Sequence, residues 1–378
     1  MINDHSNGPS SSVHGSSRVD EGLEPPDLLV TSESASDAVA MVKDRLPVWA
    51  QPDEQRQGSR NAGHGSAMAQ VAILMCTYNG EAFLEQQLES IRRQRWSSWF
   101  MAVSDDGSVD DTLHTVARYQ AMWGADKVSL WQGPRRGFAR NFMSCIANRN
   151  LEAEFYAWCD QDDIWHEDKL HKAVCWLRSV PAGKPALYLG RTELIGVCGE
   201  PLGYSPLFKR PPSFANALVQ NIGGGNTMVF NHAARCLLQD AARHLDLLSL
   251  EIVSHDWWAY LLMTGVGAEV FYDAQPYVRY RQHDRNLVGS NADWHARLLR
   301  MRMLLQGRFR DWNTINITAL EAVKLYLTPE NRELLEQFKA LRTQPLITRL
   351  RSLRRQGLYR QTLLGNLGLI FATAIKAV

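Results

Sequence analysis

The chain has 378 residues, of which 45% are apolar, so its core is far larger than that of a disulfide-stapled miniprotein. Its 41 Lys and Arg side chains and 40 Asp and Glu side chains leave a net charge of +1, which does not favour a nucleic-acid partner. The six cysteines form no CxxC pair and no metal-ligand spacing, a pattern typical of reduced thiols in a cytoplasm.

The first 68 residues are rich in Ser, Gly, Asn, Asp and Pro, and they show neither a strand period nor a helix period. This composition predicts a disordered extension over residues 1–68. We find no basic start followed by the apolar run of a secretory signal, and no run of the roughly 18 to 20 apolar residues that span a bilayer. We therefore expect a cytoplasmic protein.

From residue 71 onward, apolar runs of strand length alternate with helical patterns. Strands are predicted at residues 71–75, 100–103, 128–131, 155–159 and 186–189. Near-continuous apolar runs separated by helices predict a mostly parallel sheet that is covered on both faces. Because such sheets bind ligands beyond the carboxyl ends of their strands, polar residues at those ends are the candidates for function.

Two polar clusters follow the first two strands. CTYNG occupies residues 76–80, and SDDGSVDD occupies residues 104–111. A glycine among short polar residues lets backbone N–H groups face a ligand, although a plain turn with a helix cap is the alternative for both segments. The turn alone does not account for the adjacent acids Asp105 and Asp106.

A third cluster, DQDD at residues 160–163, follows the apolar strand at residues 155–159. Three carboxylates within four positions repel one another unless a cation or hydrogen-bond donors offset their charge. Mg²⁺ and Mn²⁺ take oxygen ligands and commonly bridge carboxylates to substrate phosphates. The spacing therefore predicts a divalent-metal site at Asp160, Asp162 and Asp163.

The fourth cluster, HDWW at residues 255–258, begins an amphipathic helix. An acid in a first helical turn is ordinarily a partner of the helix dipole, and this alternative stays open for Asp256. Aromatic residues near the acids suit either sugar stacking or packing in a helix core, and these residues are Trp165, Trp257, Trp258 and Tyr260.

Taken in order, the clusters resemble the inverting family 2 glycosyltransferases of the GT-A fold, and within them the rhamnosyltransferase-like branch that builds bacterial surface polysaccharides. The matching segments are CTYNG at 76–80, SDDGS at 104–108, RGFARNF at 136–142, CDQDDIW at 159–165, GGNTMVFN at 224–231, HDWW at 255–258 and YRQHDRN at 280–286. The resemblance implies an α/β GT-A catalytic domain over residues 69–300, with a Rossmann-like sheet flanked by helices. A helical C-terminal region over residues 301–378 would follow it.

The resemblance implies roles on the nucleotide side of the site. Thr77, Tyr78 and Asn79 resemble the loop that packs against the nucleotide. Asp105 or Asp106 resembles the acid that hydrogen-bonds the base or ribose. Gly137 and Arg140 fall in a motif expected near the donor phosphates.

It also implies roles around the transferred sugar. Asp162 resembles the principal ligand of Mg²⁺ or Mn²⁺, with Asp160 and Asp163 supporting the sugar-nucleotide or the ion. His283 resembles a downstream histidine that joins the metal or the diphosphate, whereas a capping or core histidine is the alternative. Asp256 matches the catalytic base, and the acid that usually precedes this base is replaced by His255. Asn226 and Thr227 are acceptor-site candidates.

The implied enzyme is a glycosyltransferase that moves a sugar, with rhamnose as one candidate, from a nucleotide diphosphate sugar to a hydroxyl of a glycan or lipid-linked acceptor. A divalent ion would stabilise the leaving diphosphate, while Asp256 would take the acceptor proton in a single inverting displacement. A catalytically silent nucleotide-sugar or glycan-binding protein on the same fold is the alternative. A dinucleotide-dependent oxidoreductase is disfavoured because no GxGxxG follows a predicted strand.

The C-terminal segment has an uneven charge. Residues 341–378 contain seven Arg or Lys and no Asp or Glu, with leucines interleaved. This pattern predicts an interfacial helix on an anionic membrane, which would place the enzyme peripherally on the inner face of the cell membrane. A helix packed back onto the catalytic domain, with its arginines in water, is the alternative.

Overall fold

We describe the protein from a computed structural model that covers residues 70–283 and 307–378. The extension expected at residues 1–68 lies outside the described residues, as do the last three positions of the YRQHDRN motif. The strands are β1 (Val71–Thr77), β2 (Trp99–Asp105), β3 (Val128–Gln132), β4 (Phe155–Cys159), β5 (Ile164–Trp165), β6 (Ala186–Gly190), β7 (Glu193–Ile195), β8 (Pro201–Tyr204), β9 (Val229–Asn231), β10 (Glu269–Asp273) and β11 (Val278–Arg281).

Helices separate most of these strands and continue after the last one. They are α1 (Glu81–Arg92), α2 (Thr112–Trp123), α3 (Phe138–Ala147), α4 (Lys169–Leu177), α5 (Phe214–Ala217), α6 (His232–Leu247), α7 (His255–Gly265), α8 (Arg308–Ala322), α9 (Pro329–Thr343), α10 (Leu346–Arg355) and α11 (Leu363–Ala374). The five predicted strands and the helix predicted to begin at residue 255 are confirmed.

Within residues 70–283, the strands form two sheets. The larger has seven strands in the order β10-β6-β9-β4-β1-β2-β3, and β9 alone among them runs antiparallel to its neighbours. The smaller has the order β5-β11-β7-β8. The predicted α/β class with a mostly parallel sheet is therefore confirmed.

The sequence of β1 shows why the large sheet is covered on both faces. Every residue of this strand is buried, and alternate side chains enter two different apolar clusters. Ala72 and Leu74 join a cluster with α3, α6 and α7, whereas Ile73 and Met75 join one with α1 and α4. A strand buried on both faces needs a continuous apolar run, as seen here.

The C-terminal helices extend the first of these clusters. Leu335 and Phe338 of α9 and Leu369 of α11 are buried in it. Arg349 near the start of α10 donates a hydrogen bond to the Ala374 carbonyl at the end of α11, at 3.1 Å, so the two helices run antiparallel. None of the helices in the described ranges is long and apolar enough to cross a membrane.

Candidate active site

The strand register places the first two polar clusters at the same edge of the sheet. Thr77, the last residue of β1, pairs with Asp105 at the end of β2. Met75 pairs with Cys159 on the other side of β1, so Asp160 follows at the level of Cys76, one residue before Thr77. The Thr77 hydroxyl donates a 2.7 Å hydrogen bond to Asp105, which ties the two turns together.

The two adjacent acids of the second cluster differ in how much acceptor capacity they retain. Asp105 accepts hydrogen bonds from the Thr77 hydroxyl, the Gly107 and Ser108 N–H groups, and the Ser108 hydroxyl. A carboxylate has about four lone-pair sites, so these four donors fill the acceptor capacity of Asp105. The side chain of Asp105 therefore stabilises the turn. Asp106 accepts from the N–H groups of Arg135 and Gly137, and its other sites have no hydrogen-bond donor among the described residues.

The loop at residues 76–80 presents one large side chain to the outside. The Tyr78 ring is 59% exposed, whereas Thr77 is buried. Asn79 adopts a positive φ of 47°, and its side chain accepts from the Val109 N–H. Of the three loop residues expected at the nucleotide, Tyr78 therefore has the side chain best exposed to meet one.

Gln161 joins this loop to the acidic cluster after β4. Its side-chain carbonyl accepts from the Tyr78 N–H, and its amide donates to the Tyr78 carbonyl, each at 2.9 Å. A Cβ on Gly80 would lie 2.2 Å from the Gln161 oxygen, so this close approach requires glycine. The paired hydrogen bonds hold the two loops in one arrangement.

Hydrogen bonds inside the protein hold the Asp163 carboxylate, and its assignment as a metal ligand stays a prediction. Its side chain is fully buried and accepts from the Asn226 side-chain amide at 2.6 Å and from the Arg281 N–H at 3.3 Å. Burial and the charges of Asp162 and Asp160 raise the pKa of Asp163 above its usual range. Asp163 thus links the acidic cluster to the glycine-rich turn and to β11.

Asp162 and His283 lie in direct contact. Strand β11 pairs antiparallel with β5, and its continuation places His283 Nε2 2.8 Å from Asp162 Oδ2. The imidazole stacks on Phe83 with ring centroids 5.3 Å apart. The contact with Asp162 favours the predicted functional position of His283 over a capping or core role.

Arg281 holds the backbone of this region. It is fully buried and donates to the carbonyl of Asp162, to the carbonyls of Gly196 and Val197, and to the side chain of Gln86. One side chain therefore connects the acidic loop, the turn after β7 and helix α1.

Asp256 lies close enough to Asp160 to change its titration. Burial is the main cause that raises the pKa of Asp160 to about 8, and the charges of Asp162 and Asp256 add to it. Asp256 is the second residue of α7, and it is partly exposed while its neighbours on both sides are buried. The fold thus brings residues 160, 162, 256 and 283, which are far apart in sequence, to one place.

Asp162 and His283 suit a divalent cation whose remaining coordination positions are filled by a bound ligand. Within residues 70–283 and 307–378, no group of three or more His, Cys, Asp or Glu side chains is arranged to hold a metal by itself. Asp162 and His283 supply an oxygen and a nitrogen at one point. Since Mg²⁺ and Mn²⁺ are commonly bound by one or two carboxylates together with substrate phosphates, this small set fits such an ion.

Arg140 has partners other than the donor phosphates expected for it. Its guanidinium donates to Glu251, to Asp246 and to the Leu250 carbonyl, so it fastens α3 to the segment before α7. Gly137 lies directly before α3, with a φ of 85°. The space around its Cα is open, which leaves room for a ligand to approach the backbone.

Other residues expected to contact a ligand are buried. The four aromatic candidates are at most 6% exposed, which rules out their faces as sugar platforms: Trp165, Trp257, Trp258 and Tyr260. Asn226 and Thr227 are also buried, with Thr227 bonded to the Gly224 carbonyl. His255 stacks on Phe142 at 3.9 Å between centroids, and burial lowers its pKa to about 4.

Lys169 is a buried cation that the motifs did not single out. Its ammonium lies 3.3 Å from the centroid of the Trp165 ring, at the first position of α4. Burial is the largest influence on its pKa, which falls to about 7, while the charges of Cys159, Asp163 and Asp160 act in the opposite direction. Gln161, Arg281 and Lys169 all lie in or near a recognised motif. The sequence did not identify them as site residues, because their contacts depend on the fold and not on the spacing of the motif.

The chain resembles known proteins in three comparisons. Residues 72–188 match the family model described as Glycosyl transferase family 2. The chain is 26% identical over 248 residues to the dTDP-rhamnosyl transferase RfbG of Shigella flexneri, which covers 62% of this chain and 81% of that protein.

A second curated relative is the UDP-Glc:alpha-D-GlcNAc-diphosphoundecaprenol beta-1,3-glucosyltransferase WfgD of Escherichia coli. It is 29% identical over 104 residues, which cover 28% of this chain and 39% of that protein. Among solved structures, S. aureus TarS 1-349 in complex with UDP-GlcNAc matches with a TM-score of 0.44 and 16% identity, covering 77% of this chain and 93% of that one.

Proposed function

The chain contains a glycosyl transferase family 2 domain, as its motifs predicted, and we propose that it transfers a sugar from a nucleotide diphosphate sugar to an acceptor hydroxyl with inversion. The observation that carries this proposal is the convergence of Asp160, Asp162 and His283 with Asp256 at the edge of the sheet. We assign Asp160, Asp162 and His283 to the diphosphate and its cation, and we assign the neighbouring carboxylate of Asp256 to the acceptor.

The donor nucleotide is assigned to the loops at the ends of β1 and β2. The exposed Tyr78 ring provides a flat surface for it, and Asp106 retains acceptor capacity for a base or ribose hydroxyl. The open backbone at Gly137, directly before α3, is placed to approach the phosphates. Asp105 and Asp163 act indirectly, because hydrogen bonds within the protein engage their oxygens.

Asp162 and His283 would hold Mg²⁺ or Mn²⁺ together with the donor diphosphate. When bound, such an ion offsets the negative charge that develops on the leaving oxygens. Gln161 and Arg281 keep the loop that bears Asp162 in place, through Tyr78 on one side and β11 on the other.

Asp256 is proposed as the base that accepts the proton of the attacking hydroxyl. A positioned carboxylate of this kind contributes roughly 10²- to 10⁴-fold to the rate. Because one nucleophile displaces one leaving group, the anomeric configuration of the sugar inverts.

The proposed acceptor is a glycan or lipid-linked sugar, and the proposed location is the inner face of the cell membrane. The relatives support polysaccharide precursors as the acceptor class, since one is named for rhamnosyl transfer and another for transfer to a diphosphoundecaprenol-linked sugar. Rhamnose is therefore the first donor sugar to test.

A donor panel tests this function. Purified protein would be incubated with dTDP-rhamnose, UDP-glucose and related donors, a GlcNAc-diphospholipid analogue as acceptor, and Mn²⁺ or chelator. We expect acceptor-dependent release of nucleoside diphosphate that is lost with chelator, and NMR of the product should show an inverted anomeric centre. Donor binding without any release would favour the catalytically silent binding protein, and a retained configuration would exclude single displacement.

A further inference from the structure

Helix α11 exposes an apolar face. Its twelve residues include no charged side chain, and the exposed large side chains recur at helical spacing on one side. Together with the residue that follows the helix, this apolar face consists of Leu363, Leu364, Leu367, Ile370, Phe371 and Ile375. Leu363 and Leu364 are 77% and 71% exposed, which is unusual for adjacent leucines on a protein surface.

The opposite side of α11 packs against the protein. Leu369 and Ala372 are buried in the same cluster as α7 and α9, so the helix has a fixed orientation. The sequence left open whether the basic tail packs onto the catalytic domain or faces a membrane. In the structure, one side of α11 packs onto the domain and the other side is exposed.

Cations surround the first turn of this helix. Arg354 and Arg355 at the end of α10 are exposed, and Arg360 precedes α11 by three residues. Lys209 and Arg210 join them from a distant part of the chain, because the Arg210 backbone exchanges two 3.0 Å hydrogen bonds with Gln361. The sequence from 341 to 378 contributes no acid to this region.

A second basic region lies at the other end of the helix. Arg310, Arg342 and Lys376 line an open cavity of about 400 Å³ there, next to Ile375. Positive charge therefore flanks the apolar face at both ends.

We infer that the apolar face of α11 and its flanking cations dock the protein onto an anionic lipid bilayer. Apolar side chains that are exposed on a helix gain free energy by entering the acyl boundary, while arginine and lysine interact with anionic headgroups. An apolar face alone would suit a second protein equally well. The flanking Arg and Lys side chains favour an anionic bilayer, because their charge complements that of its headgroups.

Hydrogen bonds connect this docking surface to the helix that carries Asp256. The Tyr260 hydroxyl of α7 donates to the Asn216 side chain at 2.9 Å, and Asn216 donates to the Tyr359 carbonyl at 2.9 Å. Tyr359 lies in the turn between α10 and α11, and its ring stacks under the Arg210 guanidinium. Docking would thus set the orientation of α7 relative to the bilayer, as a lipid-linked acceptor requires.

Co-sedimentation with vesicles tests the inference without donor or acceptor, so its outcome is separate from that of the proposed reaction. The full chain should bind vesicles that contain phosphatidylglycerol better than neutral phosphatidylcholine vesicles, and less well in high salt. The double substitution Leu364→Glu and Leu367→Glu should weaken binding by about tenfold or more, because two inserted side chains are lost. Leu247→Glu, at an equally exposed leucine on α6, is the matched control and should bind normally.

A second variant removes charge alone from exposed positions. Arg354→Gln with Arg355→Gln should weaken binding to anionic vesicles roughly fivefold per removed cation, without effect on neutral vesicles. Thermal unfolding of each variant would establish that it is folded. Equal binding of wild type and both variants, or no preference for anionic lipid, would overturn the inference. Light scattering that shows a dimer lost in the leucine variant, with no lipid binding, would instead make the face an interface between copies.

Discussion

At the scale of single residues, the site separates acids that face outward from acids that hold the protein together. Asp162 and Asp163 are neighbours in sequence, yet one contacts His283 and the other accepts two buried N–H groups. The motif predicts that carboxylates cluster here, but it does not predict which oxygens the fold occupies. That distinction depends on Asn226 and Arg281, which are 63 and 118 positions away from Asp163.

A pair of substitutions tests this distinction. Asp162→Ala should abolish metal-dependent turnover while leaving the free energy of unfolding nearly unchanged, because the side chain is partly exposed. Asp163→Ala should lower the free energy of unfolding by roughly 1–3 kcal/mol for each buried donor left without an acceptor. Chemical denaturation and turnover with and without Mn²⁺ measure both effects. The reverse pattern would return Asp163 to the metal site.

His255 provides a pH test of the packing next to Asp256. Its ring is buried against Phe142, and burial lowers its pKa from 6.5 to about 4. The unfolded chain therefore binds one more proton than the folded chain between these values, so stability falls as pH drops from about 6.5 to 4, by at most about 1.4 kcal/mol per pH unit.

The His255→Leu variant should lose this part of the slope, whatever its absolute stability. Denaturant unfolding at pH 4.5, 5.5, 6.5 and 7.5 measures the slope for both proteins. An identical slope in the variant would mean that His255 is not held neutral in the fold.

At the scale of elements, long apolar strands could be predicted and short ones could not. The pattern at residues 71–75 predicts β1 because a strand buried on both faces is continuously apolar. Strand β9 and the strands of the small sheet have two to four residues each, too few to show a period. The small sheet nevertheless matters for the site, since the pairing of β5 with β11 places His283 beside Asp162.

The contact between the loops after β1 and β4 can be tested at Gly80. Gly80→Ala would push a Cβ into the Gln161 amide, which is the flexible end of a side chain, so the fold should persist while the two Tyr78–Gln161 hydrogen bonds break. We expect the donor KM to rise about thirtyfold, because two hydrogen bonds of about 1 kcal/mol each are lost.

Gly368→Ala is the matched control, because a Cβ there meets no atom within 4 Å. Initial rates over a range of donor concentrations measure both variants. An unchanged KM in Gly80→Ala would show that the two loops act independently.

At the scale of the whole molecule, the sequence predicted the large sheet better than the regions that surround it. Residues 72–188 match the glycosyl transferase family 2 model, and the mostly parallel sheet is confirmed. The boundaries at residues 68 and 300 remain predictions. The approach of Lys209 and Arg210 to the turn before α11 had no signal in the sequence, because about 150 residues separate the partners. Counting charges along the sequence identifies the basic tail, but it does not show that the fold brings Lys209 and Arg210 next to that tail.

We propose that Asp256 acts on the acceptor while other residues bind the donor, and the Asp256→Asn variant separates these two roles. Donor affinity would be measured by calorimetry, and turnover by nucleoside diphosphate release, for wild type and variant side by side. We expect turnover to fall by about 10²-fold or more while the donor Kd stays within about threefold. Near-normal turnover, or a loss of donor affinity that matches the loss of rate, would contradict it.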